Sequence, residues 1–501
     1  MRRPPLARSL AALLAALAVA ACAAPGGPPS DAPQTVAARS AGDQRTGDQN
    51  HPKILAQFGG EVADRQLRAY VNRIGQRIAA ETEQPNARWT FTVLDSAVVN
   101  AFALPGGYVY VTRGLVALAN DEAELAGVIG HEIGHVTAAH SSQRQQQAGL
   151  AQLGVLGATL LGAAAGLTGD ALGAVSQLGS QLGQGYVASY SRTQEFEADR
   201  LGVRYLARAG YDPKAEADFL ANLQAETELQ ARIAGGAYNP NRVDFFATHP
   251  ATAERVRVAA GAASVEAAGA EGSRNRDAFL AAIDGMVYGD SPAQGFVDGR
   301  RFSHPELRFT FTAPEGFRIQ NSAAKVTIVG PQGAGIIFDG DSYAGGSMDA
   351  YIARIWAPAI ARQGRVGALQ NLQRTRIGGL EAASALLPVQ TNQGVKVLRM
   401  TAIRDGDAVW RFLGVQPQGA ARLGQEMDGA AASFAKLSAA EAARLKPKVI
   451  TIHTVRAGET VEALAARTPF REQAAARFRV LNGLGPREEP RPGRKVKLVR
   501  G

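Results

Sequence analysis

The chain has 501 residues, 46% of them hydrophobic and 20% charged, with a net charge of +9 and a single cysteine. Domains of ~100–200 residues make three of them the expectation, and the composition excludes a disordered or fibrous chain. One cysteine excludes an internal disulfide. The basicity is local: residues 446–501 hold 13 Lys plus Arg against 5 acids, a net of +8. Three more arginines stand at Arg2, Arg3 and Arg8, which leaves the remainder of the chain near −2.

Those arginines precede an apolar run over residues 10–21, the layout of a signal peptide spanning 1–21. The run ends Val19-Ala20-Ala21-Cys22, which resembles a bacterial lipobox. Lipidation of Cys22 accounts for the lone thiol, and acyl chains anchor at ~0.8 kcal/mol per buried methylene. Ala23 replaces the aspartate that favours inner-membrane retention, so the resemblance implies an outer-membrane lipoprotein facing the periplasm. Residues 22–50, with Pro25, Gly26, Gly27, Pro28 and Pro29, read as a flexible tether.

Gly106-Gly107 marks a tight turn, and the strand after it alternates Tyr108, Tyr110 and Thr112 with Val109 and Val111. An apolar helix is predicted over residues 122–139, and late in it stands His131-Glu132-Ile133-Gly134-His135. Residues four apart share a helix face, so His131 and His135 can present imidazoles to one ion, with Glu132 beside it to deprotonate a water. That is the geometry of a zinc hydrolase. A catalytic zinc takes three protein ligands and keeps one open position. His140 lies five residues past His135, about 140° round the barrel, and reads as structural or as a support behind the ligands. Residues 148–167 hold only Gln152 and Thr159 as polar side chains. Their Gly/Ala richness favours a helical hairpin or a flap over the cleft above a membrane span.

The third ligand comes from a second amphipathic helix, Ser191-Arg192-Thr193-Gln194-Glu195-Phe196-Glu197-Ala198-Asp199. Glu195 and Asp199 share a face; Glu195 can bind the metal, and Asp199 can accept from the far nitrogen of a liganded histidine. Glu197 reads as a solvated charge on the outer face. H-E-x-x-H followed by a helix bearing E-x-x-A-D is similar to family forty-eight of the metallopeptidases, with its HtpX- and BepA-type bacterial proteases. The resemblance runs from about residue 49 to 260 and includes Asn100-Ala101-Phe102-Ala103-Leu104-Pro105-Gly106-Gly107. It implies that this stretch leads into an edge strand beside the cleft, where Asn100, Gly107, Tyr108 and Tyr110 would meet an extended peptide by strand addition. Thr248-His249-Pro250 with Arg255 resembles the family's H-P-x-x-x-x-R segment. The resemblance brings His249 near the metal, to stabilise an oxyanion or to occupy the open position, and Arg255 near the cleft as an electrostatic stabiliser; both could instead pin a helix.

Residues 266–300 read as a linker with a short helix. Residues 301–445 read as an α+β sandwich whose order is similar to the PsbP/Mog1-like layout, with His304, Asp339 and Asp341 as loop residues and a closing helix over 424–445. The last segment, 446–501, runs strand, helix, helix, Asn482-Gly483-Leu484, then Pro492-Gly493 and a strand. It resembles a LysM module, which implies binding to peptidoglycan.

The expected architecture is multidomain: a mainly α zincin-type metalloprotease domain (51–265) with a small edge sheet, the α+β sandwich, and a small βααβ LysM-like domain. The expected activity is zinc-dependent endopeptidase action on misfolded or misassembled envelope proteins, with one Zn2+ per chain. The expected partners are those substrates, the membrane through the lipid anchor and peptidoglycan through the tail, and not nucleic acid. Two alternatives stand beside it, a zinc peptidase or amidase acting on peptidoglycan, and a conditionally silenced protease serving as chaperone or scaffold.

Overall fold

The computed structural model describes residues 40–140, 190–233, 249, 253–266, 272–362, 366–391, 394–416 and 419–501. The signal peptide, Cys22 and the apolar run 148–167 lie outside the described residues. Among the described residues no helix is long and apolar enough to cross a membrane.

Residues 41–50, expected within a tether, belong instead to the helix Ala41–Phe58. Ser40 and Asp43 form a reciprocal capping box that satisfies its first amides, and Gly59 ends it in the left-handed region. Gly47 lets this helix sit against Pro105 and the Tyr108 ring, and Ile54 and Phe58 pack on Phe102, Leu104 and Tyr110. The next helix, Arg65–Ala79, is capped by Asp64 and buries the stripe Leu67, Tyr70, Val71, Ile74 and Ile78.

Three strands follow, and their order corrects the sequence expectation. Tyr108–Thr112 is the central strand, parallel to Thr90–Leu94 and antiparallel to Ala101–Leu104, which takes the edge. Gly106 and Gly107, both at positive φ, make a hairpin turn that folds Ala101–Leu104 back onto the outer side. Alternation then sends Val109 and Val111 into the main core and Tyr108 and Tyr110 toward the helix Ala41–Phe58.

The helix Glu122–Thr137 is buried along its whole length. It lies against Arg192–Arg208 and Ala215–Ile233, with Ala253–Glu266 packed behind. Small residues make the closest crossing. A Cβ on Gly130 would stand 3.2 Å from the Gly202 carbonyl, one on Gly134 3.1 Å from that of Ala198, and one on Gly202 2.9 Å from the His131 amide nitrogen.

The middle segment holds a seven-stranded antiparallel sheet and a four-stranded one. Phe302, Phe309, Phe311, Phe338, Phe412 and Phe434 fill the core between them. Helical residues Met348–Tyr351, a π-turn Ile352–Trp356 and Ala357–Ala361 cover the far face against Leu387, Leu398 and Met400. Three expectations are corrected here. The closing helix breaks into Ala421–Ala432 and Ala439–Arg444, because Phe434 dives into the aromatic core and Ala435–Lys436 pairs with Phe309–Thr312. His304 ends a strand, and Asp339 and Asp341 lie in the strand Gly335–Ser342, where Arg411 bonds both, at 2.6 and 3.0 Å. Residues 287–298 are not linker: Val287–Tyr288 joins the C-terminal sheet and Phe296–Asp298 the four-stranded one.

The C-terminal segment has the expected β-α-α-β order: Lys448–Thr454, Val461–Ala465, Ala474–Leu481 and Lys495–Arg500. It is not a free bead. Ile450 and Val480 belong to the same core as the helices of the H-E-x-x-H region.

Phe338 tests the aromatic core, since its ring centroid is 4.7 Å from those of both Phe311 and Phe412. Phe338→Ala is expected to cost about 3–5 kcal/mol, read from the urea unfolding midpoint, with metal content unchanged.

Candidate metal centre

Asp121 caps the helix Glu122–Thr137 by accepting from the Glu124 amide. One turn apart on that helix, His131 Nε2 and His135 Nε2 converge to 3.0 Å. The helix Arg192–Arg208 starts with a Ser191–Gln194 capping box, which sets Glu195 in its first turn. The small-residue crossing brings Glu195 carboxylate oxygens to 3.6 Å from His131 Nε2 and 3.5 Å from His135 Nε2. His249 Nδ1 completes the group, 3.3 Å from His131 Nε2 and 3.0 Å from Glu195 Oε1. Ligands at ~2.0–2.1 Å from a tetrahedral zinc lie roughly 3.3 Å apart. The observed spacings bracket that value, and two imidazoles and a carboxylate are zinc's usual donors. These residues fit a zinc ion.

Glu132 is fully buried, and neither carboxylate oxygen has a hydrogen bond among the described residues. A buried polar group left so calls for a reason, and its nearest charged neighbour is His249 Nε2 at 3.4 Å. Burial pushes the Glu132 carboxyl up, against the pull of His249 and His131. Burial also works to raise Glu195, but His249, His135 and Arg255 together hold it well below the usual carboxylate range. Burial drives the His135 imidazole well down, into its neutral, ligand-competent form.

Behind the ligands the histidine tautomers are held. Asp199 Oδ1 lies 2.9 Å from His131 Nδ1. His135 Nδ1 meets His140 Nδ1 at 2.9 Å, and His140 Nε2 meets Glu197 at 3.2 Å. Were His135 Nε2 to hold a metal, its Nδ1–H would donate to His140, whose Nε2–H would donate to Glu197. The helix ends at Thr137, and Ala139 at φ 55 swings His140 back toward His135. Glu197 is therefore not a solvated outer charge, which corrects the sequence expectation.

Arg255 is fully buried and grips Asp199 with Nε at 2.9 Å and Nη2 at 2.6 Å, while Nη1 reaches Glu195 Oε2 at 2.7 Å. These contacts place it on the carboxylate behind His131 and on the one among the converging donors. Burial raises the Asp199 carboxyl, but Arg255 and His131 outweigh it and keep the group ionised.

The residues expected to meet substrate are placed differently. Tyr108 donates to Asp48 at 2.5 Å and Tyr110 pairs with His51 at 2.8 Å, both beneath the helix Ala41–Phe58. Alternation puts them on the sheet face away from the metal helix, so the structure does not bring them to the metal. Gly107 takes the turn and accepts from the Thr90 amide, and Asn100 is buried with its backbone bonded to Thr112. Two other residues lie at the centre without having been read from the sequence. Tyr190 stacks on His135 at 3.7 Å; an aromatic just before a helix cap reads as a hydrophobic staple. Glu216 Oε1 is 3.8 Å from His131 Nδ1, and burial, then Asp199, push its carboxyl well up. In sequence it looks like one more surface acid beside Lys214 and Asp218.

Residues 65–263 match Peptidase family M48. The beta-barrel assembly-enhancing protease of Yersinia pestis is 34% identical over 175 residues, 34% of this chain and 35% of that protein. The protein of that name from Escherichia coli is 32% identical over 199 residues, 39% of this chain and 38% of its own. Mitochondrial metalloendopeptidase OMA1 of Schizosaccharomyces pombe is 28% identical over 221 residues, 43% and 59% of the two chains. The chain thus spans little more than a third of the bacterial relatives it matches. Among solved structures, cyanobacterial PsbP from Synechocystis covers 30% of this chain and 98% of its own at 13% identity, with a TM-score of 0.24, too slight a likeness to argue from.

Asp199→Asn keeps the shape but loses the acceptor charge behind His131. Zinc affinity is expected to fall about 10–100-fold, measured by competition with a chelating dye.

Proposed function

We propose that this chain, whose residues 65–263 form a peptidase domain of family M48, is a zinc-dependent endopeptidase of the bacterial envelope. The observation that carries the reading is Glu132, a buried carboxylate whose two oxygens have no hydrogen bond among the described residues, beside the converging set His131, His135 and Glu195. A zinc ion held by those three supplies Lewis acidity, polarising a scissile carbonyl and making water easier to deprotonate. Glu132 accepts the proton as the water oxygen bonds to the carbonyl carbon. It returns that proton to the amide nitrogen as the carbon–nitrogen bond breaks. Burial favours this cycle, since a carboxyl raised above its ordinary pKa takes a proton more readily before passing it on.

The substrate class follows from the edge. Ala101–Leu104 is a sheet edge packed close to the metal helix, its residues buried in this structure, and once uncovered it would offer strand addition through main-chain bonds that any extended segment can make. Unfolded or misassembled envelope proteins are such segments. The relatives named for beta-barrel assembly support that substrate class, and the lipobox-like end at Cys22 supports an outer-membrane anchor on the periplasmic side. The C-terminal β-α-α-β segment is the part that would bind peptidoglycan as a LysM-like module, and its net charge of +8 suits an acidic wall.

A second reading, conditional silence, has its own observation. His249 Nδ1 stands where a fourth ligand would, within 4.8 Å of the other three donors. With His249 there, the position that a substrate carbonyl needs is taken, and cleavage waits on its withdrawal.

Glu132→Gln decides the first reading. Wild type and variant are each expected to hold one zinc, with casein cleavage lowered at least about 100-fold in the variant and abolished in wild type by a chelator. Cleavage of peptidoglycan in place of casein would transfer the assignment to a wall amidase.

His249→Ala decides the second. Faster casein cleavage at unchanged zinc content supports gating. A rate equal to or below wild type removes the silencing role.

A further inference from the structure

Lys497 is fully buried, although it sits in the most basic part of the chain. Its strand neighbours Val496 and Leu498 point into the C-terminal segment's own core, so alternation turns Lys497 the other way, into the peptidase. There its ammonium donates to three successive carbonyls, Ala117 at 2.8 Å, Leu118 at 3.3 Å and Ala119 at 2.6 Å. These are at the C-terminal end of the helix Arg113–Leu118, where carbonyls lack helical partners. Arg276 takes the next carbonyl, Asn120, and with its other terminal nitrogen bonds Lys495 at 2.9 Å. Two cations thus hold four carbonyls in a row, 117 to 120, immediately before Asp121, the cap of the metal-binding helix. Asn482 fixes the strand that carries Lys497, accepting from its amide at 2.7 Å and donating to its carbonyl at 3.0 Å.

Simple packing does not call for a lysine here. Burying an ammonium is costly unless its donors are matched, and burial pulls this one down to about 7. All three donors are matched, and each matched acceptor lies in one joint. His131 is nine residues beyond the start of its helix, roughly 14 Å at 1.5 Å per residue. A tilt of about 4° at the joint moves it about 1 Å, and a misplacement of that size can cost a hundredfold in rate.

We propose that Lys497 is a positioning residue of the peptidase: it clamps the joint at 117–120, so that the C-terminal segment sets the pose of the helix bearing His131, Glu132 and His135. The turnover readout rests on the endopeptidase reading; the other readouts do not. The test uses the full chain as Lys497→Met, which keeps the stem and removes the ammonium, with exposed Arg491→Met as a control of equal charge loss. With cobalt in place of zinc, the visible spectrum of Lys497→Met is expected to change, and amide hydrogen exchange over residues 113–125 to quicken. Casein kcat is expected to fall about tenfold to a hundredfold at a KM near that of wild type, with Arg491→Met unchanged in every readout. Wild-type spectrum, exchange and kcat in Lys497→Met would overturn the proposal. If Lys497→Met does not fold, Arg276→Met reads the same joint from its other side, with the same outcomes expected. If neither folds, the cations are fold determinants and the positioning role is rejected. If wild type cuts nothing, the endopeptidase reading fails, while spectrum and exchange still decide the clamp.

Discussion

The metal centre depends on how closely two helices can approach. Gly130 and Gly134 on one helix meet Gly202 and Ala198 on the other so closely that a Cβ on Gly202 would stand 2.9 Å from the His131 amide nitrogen, and Cβ atoms on Gly130 and Gly134 would fit only tightly. Helices with ordinary residues at the contact stand 8–10 Å apart, set by those side chains. Here the lack of side chains lets backbone meet backbone, and short acids on one helix reach imidazoles on the other. Glu195 meets both histidines and Asp199 meets the back of His131 because the axes are near. A larger residue at Gly202 would press on the His131 backbone itself, so the crossing and the ligand geometry stand or fall together.

The same closeness concentrates charge that water cannot screen. Asp199, Glu195, Glu216 and Glu132 lie within one buried region, and Arg255 is the cation placed among them. Two of those carboxylates take its fork and stay ionised; the other two are pushed toward the neutral form. The split sorts the acids by task. On the proposed reading ionised Asp199 and Glu195 would orient and bind, whereas Glu132, raised by burial, would suit proton transfer. Arg255, read from the sequence as a stabiliser at the cleft, is in place as the counter-charge that allows two buried carboxylates to remain anions.

The C-terminal segment joins this core. Ile450 and Val480 pack with the peptidase helices, and Val287–Tyr288 lends a strand to its sheet. Packing, pairing and the cations at 117–120 tie this segment to the peptidase domain in three ways. The middle segment builds its own aromatic core.

What the sequence determined by itself is whatever repeats over one turn or one pleat. His131 with His135, Glu195 with Asp199, the β-α-α-β order of the tail and the alternation of residues 108–112 follow from periods of 3.6 and 2, which need no knowledge of distant chain. Only the tertiary structure decided the rest. It brought His249 to His131 across 118 residues, turned His140 back through a left-handed Ala139, and gave Glu197 a partner. It put Tyr108–Thr112 at the centre of its sheet, hid Tyr108 and Tyr110 under a helix read as tether, and buried Lys497 and Glu216 where the sequence shows only charge. The reason is one of range. Helix and strand periods are set by bonds between near neighbours, whereas burial of a charge is set by which distant groups arrive to meet it.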